Sequence, residues 1–215
     1  MRHVRSHPIQ SAKLKPMSLL RQRRMSRASP PTAALMWGRT VPEPITISEY
    51  NSDWPLMFAR ESERIRAALS KRLARIEHIG STAVPGLDAK PIIDILTGIS
   101  EMRWADECVS RLEMIGYTHF PFPQFPERRF LADGSIGSAH HHVHMTRIGG
   151  DFWNEKALFR DWLRASRANA ARYLALKKHL AGEFGQDRER YEEYTNGKSS
   201  FIQAALKEAR RLASS

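Results

Sequence analysis

The chain has 215 residues and a formal net charge of +11, from 34 lysines and arginines against 23 acidic residues. Its 41% hydrophobic share supports a sizeable core, and no apolar stretch approaches the ~20 residues that span a membrane, so we expect a soluble protein without a membrane partner. The single cysteine, Cys108, excludes an internal disulfide framework and is typical of the reducing cytoplasm.

The basic charge is concentrated at the start of the chain. Residues 1–42 hold nine of the basic residues and no acid, which leaves 25 basic and 23 acidic residues in the rest. This Ser-, Pro- and Arg-rich composition predicts a disordered tail over 1–40, followed by one domain over 41–213. The tail is a native basic arm, an organellar presequence or translated sequence upstream of the true start; we favour the last, because domain-like sequence begins soon after Met36.

Hydrophobic periodicity and turn residues predict the elements of the domain in chain order. They are a helix from Asp53 to Lys71, strands over 73–79 and 91–97, a helix from Ser100 to Gly116, a hairpin of strands Arg128–Ala132 and Ala139–Arg147 with Asp133-Gly134 and Gly137 in its turn, and three or four helices over 152–213. Cys108 falls at helical spacing with apolar residues, which favours buried packing over catalysis. This order predicts an α+β fold whose last helices pack as a bundle beside the sheet.

The loop between the first two strands holds the most informative run, EHIGSTAVPGLDAKPIIDIL over 77–96. Gly80 permits a sharp turn or a close ligand approach, and Ser81 and Thr82 add hydroxyl groups beside backbone N–H groups, an arrangement suited to phosphate. Asp94 interrupts an apolar strand, so its charge requires a cation, a donor or a wet cleft, and a divalent metal is one natural companion. Each feature alone is common; their ordered combination favours a site.

A second cluster lies on the last predicted strand. Alternation along a strand puts His140, His142 and His144 on one face. Three imidazoles together can bind a transition metal, act as acid or base near neutral pH, or donate to phosphate oxygens. The alternative is an ordinary solvated face of the hairpin.

Several cations and one phenol complete the set of candidate ligand-binding residues. Lys90 lies in the loop before Asp94, and Arg128 and Arg129 begin the hairpin; such side chains orient phosphates. Tyr194 and Lys198 lie one turn apart if a helix continues through Gly197, which would bring a phenol and an ammonium together. For any single cation, a solvated surface position is the alternative.

The run over 77–96 resembles the signature of the GrpB family. The similarity extends from Val41 to about Ala209, through ISEYNSDWPLMFARE, PERRFL, HHVHM, FRDWLR, YLALKKHLA and Tyr194-x-x-x-Lys198-x-x-Phe201-Ile202. The resemblance implies a nucleotidyltransferase-like mixed β-sheet, related to polymerase β, flanked by helices and followed by a helical bundle. It also implies a cleft in which Asp94, His142 and His144 are catalytic and Asp94 holds Mg²⁺ or Mn²⁺. Gly80, Ser81, Thr82, Lys90, Arg128, Arg129, Tyr194 and Lys198 would bind the nucleotide.

The pattern of a standard nucleotidyltransferase is a Gly-Ser corner, followed by two acids one residue apart and a third acid on a neighbouring strand. The sequence departs from this pattern. Here Leu96 stands where the second acid is expected, and His142 and His144 stand where the third is. One carboxylate cannot hold the two cations of two-metal catalysis. Either Asp94 works around a single cation with the histidines and Glu77, or the cleft binds a nucleotide without transferring it.

Two main hypotheses of function follow. The first is an enzyme that transfers a nucleotidyl group from a nucleoside triphosphate, with a divalent metal, to an unidentified small molecule, protein or RNA. The second is a module that binds a nucleotide or phosphorylated cofactor without turnover, which fits family members fused to dephospho-CoA kinase. A third, nucleic-acid binding through the basic tail, is opposed by the near-neutral charge of the domain.

Overall fold

The computed structural model describes residues 44–134, 139–187 and 190–214, all within one compact unit. The predicted tail over 1–40 and the hairpin turn at Gly137 lie outside the described residues. The helices are α1 (Trp54–Leu69), α2 (Ala105–Glu113), α3 (Asp151–Ala165), α4 (Arg167–Phe184), α5 (Tyr191–Asn196) and α6 (Ser199–Ala213). The strands are β1 (Leu73–Ile79), β2 (Ile93–Ile99), β3 (Thr118–Phe120), β4 (Arg128–Ala132) and β5 (His141–Arg147).

The strands form one mixed sheet in the order β1-β2-β5-β4-β3. β2 and β5 pair in parallel at its centre, and the other neighbours pair antiparallel. Asp94 lies opposite His142 on β5 and Ile79 on β1, while Leu96 lies opposite His144. Because paired residues point to the same face, one face of the sheet carries the carboxylate and both imidazoles.

The other face of the sheet holds the main hydrophobic core. Helix α1 contributes Ile65 and Leu69, and α2 contributes Leu112 and the free Cys108, all fully buried. They pack against alternate residues of the central strands, such as Ile95. The prediction that Cys108 is a packing residue is therefore confirmed.

The C-terminal helices cover part of the polar face. Trp153 at the start of α3 packs on Ile79 and Leu96 beside the carboxylate. Helices α3, α4 and α6 share a further core that includes Trp162 and Tyr173. The α+β architecture, with a mixed sheet, flanking helices and four helices over the last third of the described chain, is confirmed.

Several predicted boundaries were wrong and one strand was missed, for local reasons. β2 begins at Ile93 rather than residue 91, because Pro91 has no N–H and Ile92 closes a turn onto the carbonyl of Lys90. The second helix begins at Ala105, after a short 3-10 turn. β3 was not predicted at all, since three residues are too few for a periodic signal.

Candidate functional site

Asp94 forms the centre of the site together with two histidines from the neighbouring strand. Its Oδ1 lies 3.4 Å from Nδ1 of His142 and 3.4 Å from Nε2 of His144. The carboxylate side chain is 28% exposed, so a ligand can reach it between the sheet and the helices that cover this face. We call Asp94, His142 and His144 the Asp94 cluster. His140, which the sequence put on the same face, precedes β5 and is exposed.

Electrostatics favour the ionised form of Asp94. Burial opposes the charge, but the hydrogen bonds and charges of His142 and His144 outweigh it and hold the pKa of the carboxyl well below its usual range. Burial lowers the pKa of His144 against the pull of Asp94. A carboxylate that accepts a long hydrogen bond from a neutral His144 imidazole is consistent with both shifts. The Asp94 carboxylate is therefore ionised near neutral pH.

Gly80 is shaped to receive this carboxylate. It has a φ of +71°, in the left-handed region that favours glycine. A Cβ built there would also overlap the carboxylate of Asp94. Both the turn and the close approach therefore require a residue without a side chain.

The two hydroxyl residues after Gly80 have different surroundings. Ser81 is half-buried and shares a hydrogen bond with the Tyr173 hydroxyl. Thr82 is buried; its hydroxyl donates to the Ile92 carbonyl at 3.0 Å and lies 3.1 Å from His78 Nε2. Ser81 thus faces the site, whereas Thr82, predicted to bind the nucleotide, holds the loop from inside.

Two arginines of α3 fix the Gly-Ser corner. Arg160 donates to Glu77 at 2.8 Å and to the carbonyl of His78 at 3.2 Å. Arg164 donates twice to the carbonyl of Ala83, at 2.9 and 2.7 Å. Because Glu77 also pairs with Arg75, its carboxylate is neutralised by two guanidinium groups. This pairing argues against the predicted role of Glu77 beside a metal cation.

Cations surround the Asp94 cluster; we call Lys90, Arg128, Lys156 and Lys198 the cationic rim. Burial lowers the pKa of Lys198 to about 8. The negative charge of Asp94 opposes this shift, and repulsion from Lys156 and Lys90 adds to it. Burial and Arg128 likewise lower the pKa of Lys156, again against Asp94. These mutual effects indicate that the four cations and the carboxylate share one neighbourhood with an excess of positive charge.

Aromatic rings accompany the rim on both sides. Lys90 Nζ lies 4.9 Å from the Tyr191 ring centroid, and Lys198 Nζ lies 4.2 Å from that of Tyr194. The helix is interrupted at Gly197, yet the expected meeting of Tyr194 and Lys198 still occurs, because Gly197 keeps a helical backbone. Tyr194 itself is buried in a small core, so its ring supports Lys198 from behind.

The adjacent arginines of β4 diverge. Arg128 lies on the face of Asp94, with its guanidinium carbon 4.7 Å from the Phe152 ring centroid. Arg129 points to the opposite face and pairs with Asp106 of α2 at 3.1 Å. The structure therefore joins Arg128 to the cationic rim and keeps Arg129, a predicted ligand-binding residue, away from it.

The side chains near Asp94 limit the kind of metal site that can form there, and so test the Mg²⁺ or Mn²⁺ that the family resemblance implied. Among the described residues, no group of three or more His, Cys, Asp or Glu side chains is arranged to hold a metal ion. A two-metal centre therefore does not fit these residues. One Mg²⁺ is commonly held through a single carboxylate with phosphate oxygens of the substrate, and Asp94 fits that role.

Some residues of the site were not found from sequence. Lys156 lies outside the runs that carry the family resemblance, Tyr173 opens one of them without being a candidate itself, and Tyr191 lies in a short helix. A helical lysine or tyrosine is normally read as a surface or core residue, so no local signal distinguishes them. Only the packing of α3, α4 and α5 against the sheet brings them to Asp94.

Comparison with known proteins gives a consistent family. The family model described as GrpB protein matches residues 44–208. A UPF0157 protein of Halalkalibacterium halodurans is 36% identical over 168 residues, 77% of this chain and 82% of that protein. A UPF0157 protein of Pseudomonas aeruginosa is 37% identical over 186 residues, 85% of this chain and 75% of that protein.

Two further matches extend the comparison. The crystal structure of the conserved protein GrpB from Enterococcus faecalis aligns with a TM-score of 0.70 at 33% identity, covering 79% of this chain and 100% of that one. A dephospho-CoA kinase of Mycolicibacterium paratuberculosis is 29% identical over 159 residues, 63% of this chain and 39% of that protein.

Proposed function

The chain belongs to the GrpB family, and we propose that its cleft transfers a nucleotidyl group from a nucleoside triphosphate to an acceptor molecule. The observation that carries this proposal is an ionised carboxylate, Asp94, surrounded by the four cations of the cationic rim. Cytoplasmic location, as the sequence predicts, is consistent with access to nucleotides.

The excess positive charge supports an anionic ligand. Half-buried ammonium groups that repel one another are costly, and an anion with several negative oxygens relieves that repulsion. Glu155, the acid nearest Lys156 in sequence, is paired with Arg210 at 2.8 Å. The triphosphate of a nucleotide has the charge and reach to contact several rim cations at once.

The position of Asp94 supports chemistry rather than binding alone. A carboxylate inside a phosphate site repels the ligand unless a cation lies between them. Asp94 would hold one Mg²⁺ or Mn²⁺ together with the phosphates, and the bound ion would neutralise charge on the transferred group. The neutral imidazole of His144 would accept a proton from the acceptor hydroxyl, while the corner at Gly80 and Ser81 orients the phosphates.

Binding and turnover are tested on the full chain with ATP, GTP, CTP and UTP, with and without Mg²⁺. Asp94→Asn removes one negative charge but keeps the size of the side chain. We expect the variant to lose metal-dependent binding and pyrophosphate release, and to bind triphosphate in EDTA as well as or better than wild type. Calorimetry and a pyrophosphate assay provide the two measurements.

Asp53→Asn is the matched control, because Asp53 is exposed at the start of α1 and its side chain makes no capping hydrogen bond. This control should behave as wild type in both assays. Absence of triphosphate binding by the wild-type protein under every condition would contradict the proposal.

The second candidate is a module that binds a nucleotide or phosphorylated cofactor without turnover. The observation in its favour is the single carboxylate, since most of the charge around Asp94 is positive and few side chains are available to hold a metal ion. The match to part of a dephospho-CoA kinase makes coenzyme A precursors worth including as ligands. Tight binding without pyrophosphate release, over a panel of acceptors, would favour this candidate.

A further inference from the structure

Arg128 occupies an unusual position at one end of the cleft. Its guanidinium carbon lies 4.0 Å from the ring centroid of Phe125 and 4.7 Å from that of Phe152, so two rings flank it. Burial lowers its pKa, and Glu127 opposes that effect. Among the described residues, Arg128 forms no ion pair with a carboxylate. Its fixed planar fork is therefore directed by the rings rather than by an acid.

Lys156 extends this positive charge toward Asp94. Its Nζ lies 5.1 Å from the ring centroid of Phe152, the same ring that contacts Arg128. Phe152 in turn lies against His144, with ring centroids 6.2 Å apart. Arg128, Lys156 and Phe152 thus form a continuous surface that ends at the Asp94 cluster; we call these three residues the phenylalanine side of the cleft.

The opposite end of the cleft has a different composition. Lys90 lies over the ring of Tyr191 and Lys198 over the ring of Tyr194, both in α5. Two cations at each end, with one carboxylate between them, suit two anionic ligands that meet at Asp94. A single triphosphate at the Ser81 corner would leave the phenylalanine side for a second molecule.

A cavity beside Arg128 provides room for the remainder of that molecule. It has a volume of about 320 Å³ and is lined by Arg128, by residues of the loop between β3 and β4 that include Phe122 and Pro123, and by His119 of β3 and Asp106 of α2. Arg129 also lines it, but its guanidinium is occupied by Asp106 and two carbonyl oxygens. Arg128 therefore lines the cavity and also lies on the face of the sheet that carries Asp94.

We propose that the phenylalanine side is a second ligand site, which takes an acceptor bearing a phosphate or carboxylate group attached to an apolar or ring-shaped body. The oxyanion contacts Arg128 and Lys156, and the body lies in the cavity against Phe122 and Pro123. The inference rests on the proposed function in one respect: the molecule is called an acceptor because it would receive the nucleotidyl group. The inference adds the chemical class of that molecule. The residues of this second site, Arg128, Lys156 and Phe152, are identified without reference to the reaction.

Phenyl phosphate and benzoate are suitable probes, because each joins an oxyanion to a ring. Their binding to the full chain is measured by calorimetry, alone and with saturating nucleoside triphosphate. We expect one probe molecule to bind per chain in both conditions, and the tighter probe identifies phosphate or carboxylate as the preferred group. Arg128→Gln and Lys156→Gln should each weaken the probe by about tenfold or more, as loss of a charge-assisted hydrogen bond predicts.

The same variants separate the two sites. Arg128→Gln should weaken the probe more than it weakens triphosphate, whereas Lys198→Gln should weaken triphosphate more than the probe. Lys207→Gln, at an exposed lysine of α6, is the control for a general change in charge. Thermal denaturation of each variant checks that it is folded.

Two results would overturn the inference: no binding of either probe, or displacement of the probe by triphosphate with equal losses in the Arg128 and Lys198 variants. Failure of the proposed function has a different signature, since the probe would then bind while no triphosphate does. Probe binding at the phenylalanine side does not depend on turnover.

Discussion

The two faces of strand β2 show how one segment serves both folding and chemistry. Ile93 and Ile95 point into the main core and are fully buried, whereas Asp94 between them points into the cleft and keeps 28% of its side chain exposed. On the neighbouring strand β5, Val143 likewise points into the main core, and His142 points to the face that carries Asp94. One face is stabilised by apolar burial and the other carries charges whose pKa values are shifted, so the site is built on a rigid support that does not depend on it.

The largest effect on stability is expected from the apolar face. Ile95→Ala removes a fully buried side chain from the main core, which costs about 2–5 kcal/mol in the free energy of unfolding. Urea denaturation measures this loss. Triphosphate affinity of the folded variant should remain within about twofold of wild type, because Ile95 points away from Asp94.

Leu96→Ala is the comparison on the opposite face of the same strand. Leu96 is also fully buried, but it packs with Ile79 and Trp153 beside the carboxylate. We expect this variant to lose both stability and ligand affinity. Equal effects of Ile95→Ala and Leu96→Ala on affinity would show that the two faces are not independent.

A smaller loss of stability is expected at the turn that meets Asp94. Gly80→Ala adds a methyl group that overlaps the Asp94 carboxylate and also forces alanine into a left-handed conformation. The conformation costs about 1–2 kcal/mol and the overlap a similar further amount. The variant should lose triphosphate binding in calorimetry, because the carboxylate must move.

Gly86→Ala separates these two causes. Gly86 has a φ of +75°, but a Cβ there meets nothing within 4 Å. This variant should therefore show only the conformational cost, with ligand binding kept. If Gly86→Ala reduces affinity as much as Gly80→Ala, contact with Asp94 is not the reason that residue 80 is glycine.

The most gradual effect concerns pH and a buried polar group on the helical side of the site. Lys177 is 3% exposed and donates to the carbonyl of Asp88. Burial lowers its pKa to about 7, helped by Lys198 and Lys178 and opposed by Asp88. An unfolded lysine has a pKa of about 10.4, so between these values the unfolded chain binds more protons and stability rises with pH, by at most about 1.4 kcal/mol per pH unit.

Lys177→Met should flatten this rise between pH 7 and about 10, as measured by urea denaturation at several pH values. Lys207→Met, at an exposed position, should keep the slope of the wild-type protein. Below pH 7 the contribution of Lys177 is constant, because both states are protonated. A variant with the wild-type slope would mean that Lys177 stays charged in the fold.

Much of the architecture was predictable because its signals are local. The strand over 73–79, the antiparallel hairpin of β4 and β5, and the helical last third are all confirmed. Alternation along β5 correctly put His142 and His144 on one face. Element boundaries failed where a proline or a short turn decided them, as at Pro91 and before Ala105.

The site was predictable only in part. The Gly80 corner and Asp94 belong to one short run, and alternation relates the two histidines, so sequence found these residues. It could not separate Arg128 from Arg129 or Ser81 from Thr82, because the choice of face depends on pairing with β5 and on packing of the loop.

The sequence by itself determined the family, the order of most helices and strands, and the single carboxylate at the centre of the candidate site. The tertiary structure decided which cations reach that carboxylate: Lys156 and Lys198 come from separate helices, and Arg128 from a strand. The physical reason is that local spacing fixes hydrogen bonding and periodicity, whereas the electrostatic field at Asp94 depends on charges that are distant in sequence and close only after the helices pack on the sheet.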